Sequence, residues 1–247
     1  MDNNKDIKLI ALDMDGTLLN KQGEISEANR KAIKAAQEMG VYVVLSTGRS
    51  IITCGKYAES LSLTSFLVTA NGSEIWDENR ELVKRSLLKT DLVEWMWELS
   101  KQHKTKFWAI STDNYWTNEM PEDINVVEWL KFGFDIDDDT TREFILNELN
   151  EKGEFELSNS TLTNIEVNPL GINKANGLKI VCDRFGIDMN HCMAVGDSLN
   201  DLAMIVEAGI GVAMGNAQEK VKQSADWVTD TNEADGVAKA IRKWVLK

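Results

Sequence analysis

Asp13-Met14-Asp15-Gly16-Thr17 follows directly on the apolar run of residues 7–12. Two carboxylates therefore stand two residues apart where a buried strand meets a loop, with a Gly and a Thr behind them. In an open α/β sheet, ligands bind outside the carboxyl ends of the strands, so the pair sits where chemistry is expected. One carboxylate can attack a phosphorus and bind a hard cation, and the other can handle a proton. An Asp after a strand also caps turns, and Asp-x-Asp-Gly by itself leaves the two readings even. The rest of the chain decides between them.

Outward from this stretch, strand and helix signals alternate. Residues 26–39 read as a helix with Ser26 as N-cap and Gly40 just past its end. Residues 41–45 form a near-continuous apolar strand, the pattern of a parallel strand covered on both faces. A helix over 51–60 and a strand over 66–68 continue the order, and the tail resumes it. Helices are predicted over 174–185, 199–207 and 233–245, and strands over 193–195, 210–212 and 227–228. Strands alternating with helices predict an α/β fold built on a doubly wound parallel sheet.

The middle departs from this pattern. Helices are predicted over 91–101, 123–131 and 141–152, paired strands over 106–110 and 115–117 around Asp113-Asn114, and further strands over 154–157 and 164–167. The division expected is a core of residues 1–81 and 170–247 with an inserted α+β block over 82–169. Five of the eight tryptophans, Trp95, Trp97, Trp108, Trp116 and Trp129, fall in that block and are expected mainly to build its small core. The acidic run at Asp135, Asp137, Asp138 and Asp139 lacks the Gly and distal Glu of a calcium loop, so it reads as a solvated loop capping the next helix.

Three further segments lie at predicted strand ends or helix starts. In Ser46-Thr47-Gly48-Arg49, Thr47 offers a hydroxyl and Gly48 lets a backbone N–H approach an oxyanion. Lys174, after Gly171-Ile172-Asn173, adds its charge to a helix N-terminus that already favours phosphate. In Gly196-Asp197-Ser198-Leu199-Asn200-Asp201, Asp197 and Asp201 bracket one helical turn and can serve a magnesium ion as ligand and outer support. Taken singly, each is ordinary.

In this order the four segments resemble those of haloacid dehalogenase (HAD) superfamily phosphatases, in the arrangement of the Cof-like subfamily IIB with a C2-type cap. Ala70-Asn71-Gly72, Glu166-Val167-Asn168-Pro169 and Met214-Gly215-Asn216-Ala217 extend the resemblance over essentially the whole chain. The resemblance implies that Asp13 is the nucleophile forming an aspartyl-phosphate and Asp15 the general acid. Thr47, Gly48 and Lys174 then bind phosphate, and Asn200 orients the phosphoryl group or the nucleophile. Asp13, Asp197 and the Asp15 backbone carbonyl hold Mg2+, with Asp201 behind them. An acid at position 15, where transport ATPases of the superfamily carry Thr, implies turnover to free phosphate or transfer within a mutase. Arg49 and Asn71 are expected to meet the organic part of the substrate, Arg49 having a structural ion pair as its even alternative. The room for a separate domain lies between Asn71 and Lys174, which assigns substrate choice to the inserted block.

Composition narrows the partners. With 27 basic and 40 acidic residues, the net charge of -13 opposes nucleic acid and anionic membranes. No apolar run approaches the ~20 residues of a membrane span, and the polar start lacks a signal peptide's apolar region. Cys54, Cys182 and Cys192 read as buried thiols of a reducing cytosol. His103 and His191 read as structural or exposed. The expectation is a cytoplasmic, Mg2+-dependent phosphatase of small phosphorylated metabolites such as sugar phosphates, with flavin-precursor and pyridoxal phosphates inside that class. A phosphosugar mutase and a catalytically silent ligand-binding module are the alternatives.

Overall fold

A computed structural model describes residues 6–246. The elements run β1 (Leu9–Leu12), α1 (Glu27–Glu38), β2 (Tyr42–Ser46), α2 (Ile51–Ser60), β3 (Leu67–Thr69), β4 (Glu74–Trp76), β5 (Leu82–Arg85), α3 (Thr90–His103), β6 (Lys106–Ser111) and β7 (Tyr115–Thr117). They continue with β8 (Trp129–Asp135), α4 (Asp139–Lys152), β9 (Phe155–Ser158), β10 (Asn164–Pro169), α5 (Lys174–Phe185), β11 (Cys192–Gly196) and α6 (Leu202–Glu207). The last are β12 (Ile210–Ala213), α7 (Glu219–Ser224), β13 (Trp227–Val228) and α8 (Gly236–Trp244).

The larger sheet has the order β13-β12-β11-β1-β2-β3-β4-β5. From β13 to β3 its neighbours are parallel, and β4 and β5 add an antiparallel edge that the sequence reading did not anticipate. Every residue of β1 is buried, as a central strand covered on both faces requires. Leu82–Arg85 pairs with β4, so the chain leaves the larger sheet after Arg85 rather than at residue 82. The N-terminus of α1 is closed as its sequence predicts, with the Ser26 side chain accepting the Asn29 N–H at 3.2 Å.

The smaller sheet is antiparallel throughout, in the order β7-β6-β8-β10-β9. Residues 123–131 were expected as a helix. They instead form a single turn at Ile124–Val126 and the start of β8. From Lys131 onward the pattern has period two: Phe132 and Phe134 pack into the helix-covered core, while Lys131 and Gly133 point the other way. Pairing with β6 and β10 on either side wins over the local helical signal. Phe107, Ala109, Ile165 and Val167 join that core against Val93 and Met96 of α3 and Ile145 of α4. Asp138 caps α4 by accepting the Thr141 N–H at 2.7 Å, as the acidic run predicts. The three cysteines are buried and unbridged.

This architecture gathers the carboxyl ends of β1, β2 and β11 side by side beneath the uncovered face of the smaller sheet. Truncating Phe132, which is fully buried, to Ala should destabilise the protein by about 3–5 kcal/mol. Urea unfolding measures this, and a loss under ~1 kcal/mol would show that the second core does not carry weight.

Candidate active site

Adjacent parallel strands place the acidic groups together. The Asp13 N–H donates to the Val195 carbonyl at 3.0 Å, fixing the end of β1 against β11. The next turn needs Gly16, whose φ is +81° and whose Cβ, if present, would lie 2.5 Å from Asp197 Oδ2. The loop can therefore close on Asp197, and the Thr17 hydroxyl donates to Asp197 Oδ1 at 3.0 Å. Ser198 Oγ donates to Asp197 Oδ2, also at 3.0 Å.

Lys174 opens α5, whose cap Asn173 accepts the Asn176 N–H. Its ammonium donates to Asp13 Oδ1 and to Asp201 Oδ1, both at 2.6 Å, and is completely buried. Asp201 turns its second oxygen to the backbone N–H groups of Asp197 and Ser198, at 2.9 and 3.1 Å. With both oxygens engaged, Asp201 braces the cluster. Among the described residues no hydrogen bond reaches Asp13 Oδ2.

The charges do not balance. Burial, then the charge of Asp201, raise Asp13 well above the usual carboxylate range, against the pull of Lys174. Burial and Asp201 likewise push Asp197 up to about 7. Burial works against the Lys174 ammonium, but Asp13 and Asp201 outweigh it and raise its pKa. Three carboxylates thus share one ammonium in a poorly solvated floor, which favours a further cation. Oxygens of Asp13, Asp197 and Asp201 lie within 4.8 Å of one another, and an all-oxygen donor set suits a small hard ion such as Mg2+. Asp13 and Asp197 could hold it, with Asp201 behind.

The other predicted residues surround this floor. The Asp15 side chain is 57% exposed and is clasped by Arg49, whose Nε and Nη2 donate to its two oxygens at 2.7 and 2.6 Å. That clasp engages both Asp15 oxygens, so Asp15 has to leave Arg49 before it can carry a proton. Arg49 forms an ion pair within the site while still lining the cleft. Thr47 is buried and accepts the Arg49 N–H at 3.2 Å, and Gly48 lines the cleft itself. Asn71 has a left-handed backbone, φ 58°, and its amide donates to Glu166 at 2.8 Å and Asn168 at 3.1 Å. It supports the roof of the site from below. Asn200 donates to Glu166 at 3.1 Å and lines the cleft.

The roof is the face of the smaller sheet that carries no helix. Trp108, Ile110, Tyr115, Lys131, Asn164 and Glu166 close a cleft of about 410 Å3 over Asp13, Asp15 and Asp197. Lys131 and Glu166 are both buried and pair at 2.9 Å. Burial alone would raise Glu166, but Lys131, Asn71 and Ser160 hold it at about 2. Burial lowers the Lys131 ammonium, which Glu166 in part restores. A Cβ on Gly48 would lie 3.0 Å from Lys131 Nζ, so this ammonium enters the site from above. Sequence reading missed Lys131 because it was placed at a helix end. Its signal is a lone charge between Leu130 and Phe132 in an apolar strand, and only the pairing of β8 reveals it. Trp108 departs from the expected core role of the tryptophans by facing the cleft.

Residues 10–142 and 120–241 match the family model described as haloacid dehalogenase-like hydrolase. The chain belongs to that family. It is 61% identical over 241 residues to the 5-amino-6-(5-phospho-D-ribitylamino)uracil phosphatase YcsE of Bacillus subtilis, covering 98% of this chain and 97% of that protein. A haloacid dehalogenase-like hydrolase from Bacteroides thetaiotaomicron superposes with a TM-score of 0.81 at 31% identity, over 96% of this chain and 99% of that one. A haloacid dehalogenase-like hydrolase from B. subtilis superposes with a TM-score of 0.88 at 26% identity, over 96% and 99%. The chain is accordingly a phosphatase of this superfamily acting on phosphorylated substrates. Among the described residues no helix is long and apolar enough to cross a membrane.

The ion pair in the roof has a pH signature. Glu166→Gln strands a buried ammonium and should cost about 3–5 kcal/mol at pH 7. The folded carboxyl titrates at about 2 and an unfolded glutamate near ~4.3, so the unfolded chain takes up the proton first as pH falls. The pair's contribution is complete above about pH 4.5 and is lost progressively toward pH 2. The stability gap between wild type and Glu166→Gln should therefore narrow by roughly 1–2 kcal/mol between pH 5 and pH 3. Parallel denaturation curves with a constant gap would contradict it.

Proposed function

We propose that the chain hydrolyses 5-amino-6-(5-phospho-D-ribitylamino)uracil, or a phosphomonoester closely similar to it, through an aspartyl-phosphate on Asp13 with Mg2+ bound. The observation that carries the chemistry is the Asp13 carboxylate at the cleft floor. One oxygen is held by Lys174, the other has no hydrogen-bond partner among the described residues, and Asp197 stands beside it. The substrate reading is supported by the 61% identical relative and its near-complete coverage. The cleft volume of about 410 Å3 falls in the range typical of small-molecule sites.

In this mechanism Lys174 fixes the orientation of Asp13 and offsets its charge, leaving Asp13 Oδ2 to attack phosphorus. Asp15, released from Arg49, gives a proton to the departing alcohol oxygen. As a carboxylate it then takes a proton from the water that attacks the phosphoryl-Asp13. Thr47, the backbone at Gly48 and the Asn200 amide cradle the phosphoryl oxygens. Asp13 and Asp197 would hold Mg2+, which would offset the charge between a carboxylate and a phosphate that otherwise repel. The smaller sheet acts as a cap that limits water at the reacting centre.

Purified protein should release inorganic phosphate from the uracil substrate in the presence of Mg2+. Asp13→Asn should abolish that release, and Asp15→Asn should lower kcat by about 10^2- to 10^4-fold. Undiminished turnover by Asp13→Asn would refute the assigned nucleophile. A requirement for a sugar bisphosphate with little free phosphate would mark a mutase instead.

Mg2+ should also stabilise the fold. At about 100 times its dissociation constant, it should raise the melting midpoint by roughly 5–10 °C over chelator-treated protein. Asp197→Asn should shrink that rise. Identical melting curves with Mg2+ and with chelator would argue against the carboxylate cluster as a cation site.

A further inference from the structure

The cleft-facing side of the smaller sheet carries an arrangement that the phosphoryl chemistry does not use. Trp108 of β6 pairs across the strands with Gly133 of β8. Its indole lies flat on that glycine: a Cβ at position 133 would fall 2.2 Å from Cε2 and 2.3 Å from Cζ2 of the ring. Any other residue at 133 would lift the indole off the sheet. Tyr115 lies alongside, its ring centroid 6.1 Å away and its plane within 18° of the indole. Lys131 Nζ sits 4.9 Å from the Trp108 centroid and also abuts Gly48. Lys131 thus bridges the glycine loop near the floor and the aromatic pair in the roof. Both rings line the cleft, Trp108 half-buried and Tyr115 51% exposed. The other cap tryptophans are committed to structure, Trp129 to the core and Trp116 to a hydrogen bond with Ser111.

A flat indole backed by a glycine, with a phenol nearly parallel beside it, presents a platform for a planar ring. The cation beside it favours a ring carrying carbonyl oxygens. We propose that the Trp108–Tyr115 shelf stacks the heterocycle of the substrate, so that this site selects phosphomonoesters bearing a planar, carbonyl-rich ring over bare sugar phosphates. This rests on the phosphatase reading above and deepens it by assigning the specificity-determining surface. The phosphate lies at the floor, the polyol passes Lys131, and the ring lies on Trp108.

The test compares kcat/KM for 5-amino-6-(5-phospho-D-ribitylamino)uracil with that for ribose 5-phosphate. Wild type should prefer the ring-bearing ester at least tenfold. Trp108→Leu should lower that ratio by roughly 10- to 100-fold, the range of aromatic–base stacking, with the change carried by KM. Trp108→Phe should recover part of it. Gly133→Ala, which keeps the indole but displaces it, should mimic Trp108→Leu. A ratio unaltered by Trp108→Leu, or a wild type indifferent to the ring, would overturn the shelf while leaving the phosphatase reading intact. Calorimetric binding of the dephosphorylated ribitylaminouracil, set against ribitol, reads the shelf without turnover. Selective binding of the ring compound by wild type and its loss in Trp108→Leu would support the shelf even in a protein inert toward every phosphomonoester, in which case the phosphatase reading alone would fail. Equal binding of both compounds would overturn it.

Discussion

The Lys174 ammonium, buried between Asp13 and Asp201, is the interaction on which the rest of the structure turns. A carboxylate removed from water is costly unless it is paired and hydrogen-bonded. Here one ammonium serves two carboxylates at 2.6 Å each, and Asp201 passes its other oxygen to the backbone that carries Asp197. The end of β1, the start of α5 and the turn after β11 are thereby tied at one point. A third carboxylate in the same space leaves the floor short of positive charge, an imbalance that favours a further cation there. Structural order and chemical reactivity share this single cause.

The roof is organised on the opposite principle. Lys131 and Glu166 are buried yet compensated, since Glu166 also accepts from Asn71 and Asn200 of the larger unit. The network spans the two sheets and joins the roof to the floor in this arrangement. The period-two alternation of β6, β8 and β10 makes this possible. Alternate residues build the helix-covered core, and those between them supply a wall of mixed aromatic and charged groups. One sheet therefore serves as scaffold on one side and as a wall of the cleft on the other.

The floor was legible in the sequence because its parts are contiguous: Asp13-Met14-Asp15-Gly16-Thr17, the Thr47-Gly48 turn and Asp197 to Asp201 each carry their meaning within a few residues of a strand end. Lys174 was legible only through its order relative to them. The roof was not legible for a physical reason. Trp108, Lys131 and Glu166 come from three strands, and their shared face exists only once the register is set. Residues 123–131 show how local signals mislead: the stretch looked helical, yet cross-strand pairing made its last three residues the start of the central strand of the smaller sheet. Arg49 could be read as touching either substrate or a carboxylate, and only coordinates reveal its clasp on Asp15. The antiparallel edge of β4 and β5 was missed because such short strands leave too little periodicity to recognise.

The central claim is that the Asp13 carboxylate becomes phosphorylated during turnover. Rapid quenching of the enzyme with Mg2+ and excess substrate, followed by borohydride reduction and peptide mass spectrometry, tests it most directly, because hydride converts an acyl phosphate to an alcohol. The account predicts homoserine at position 13 and unaltered Asp15, Asp197 and Asp201. Full phosphate release with Asp13 recovered only as aspartate, or reduction at another carboxylate, would contradict it.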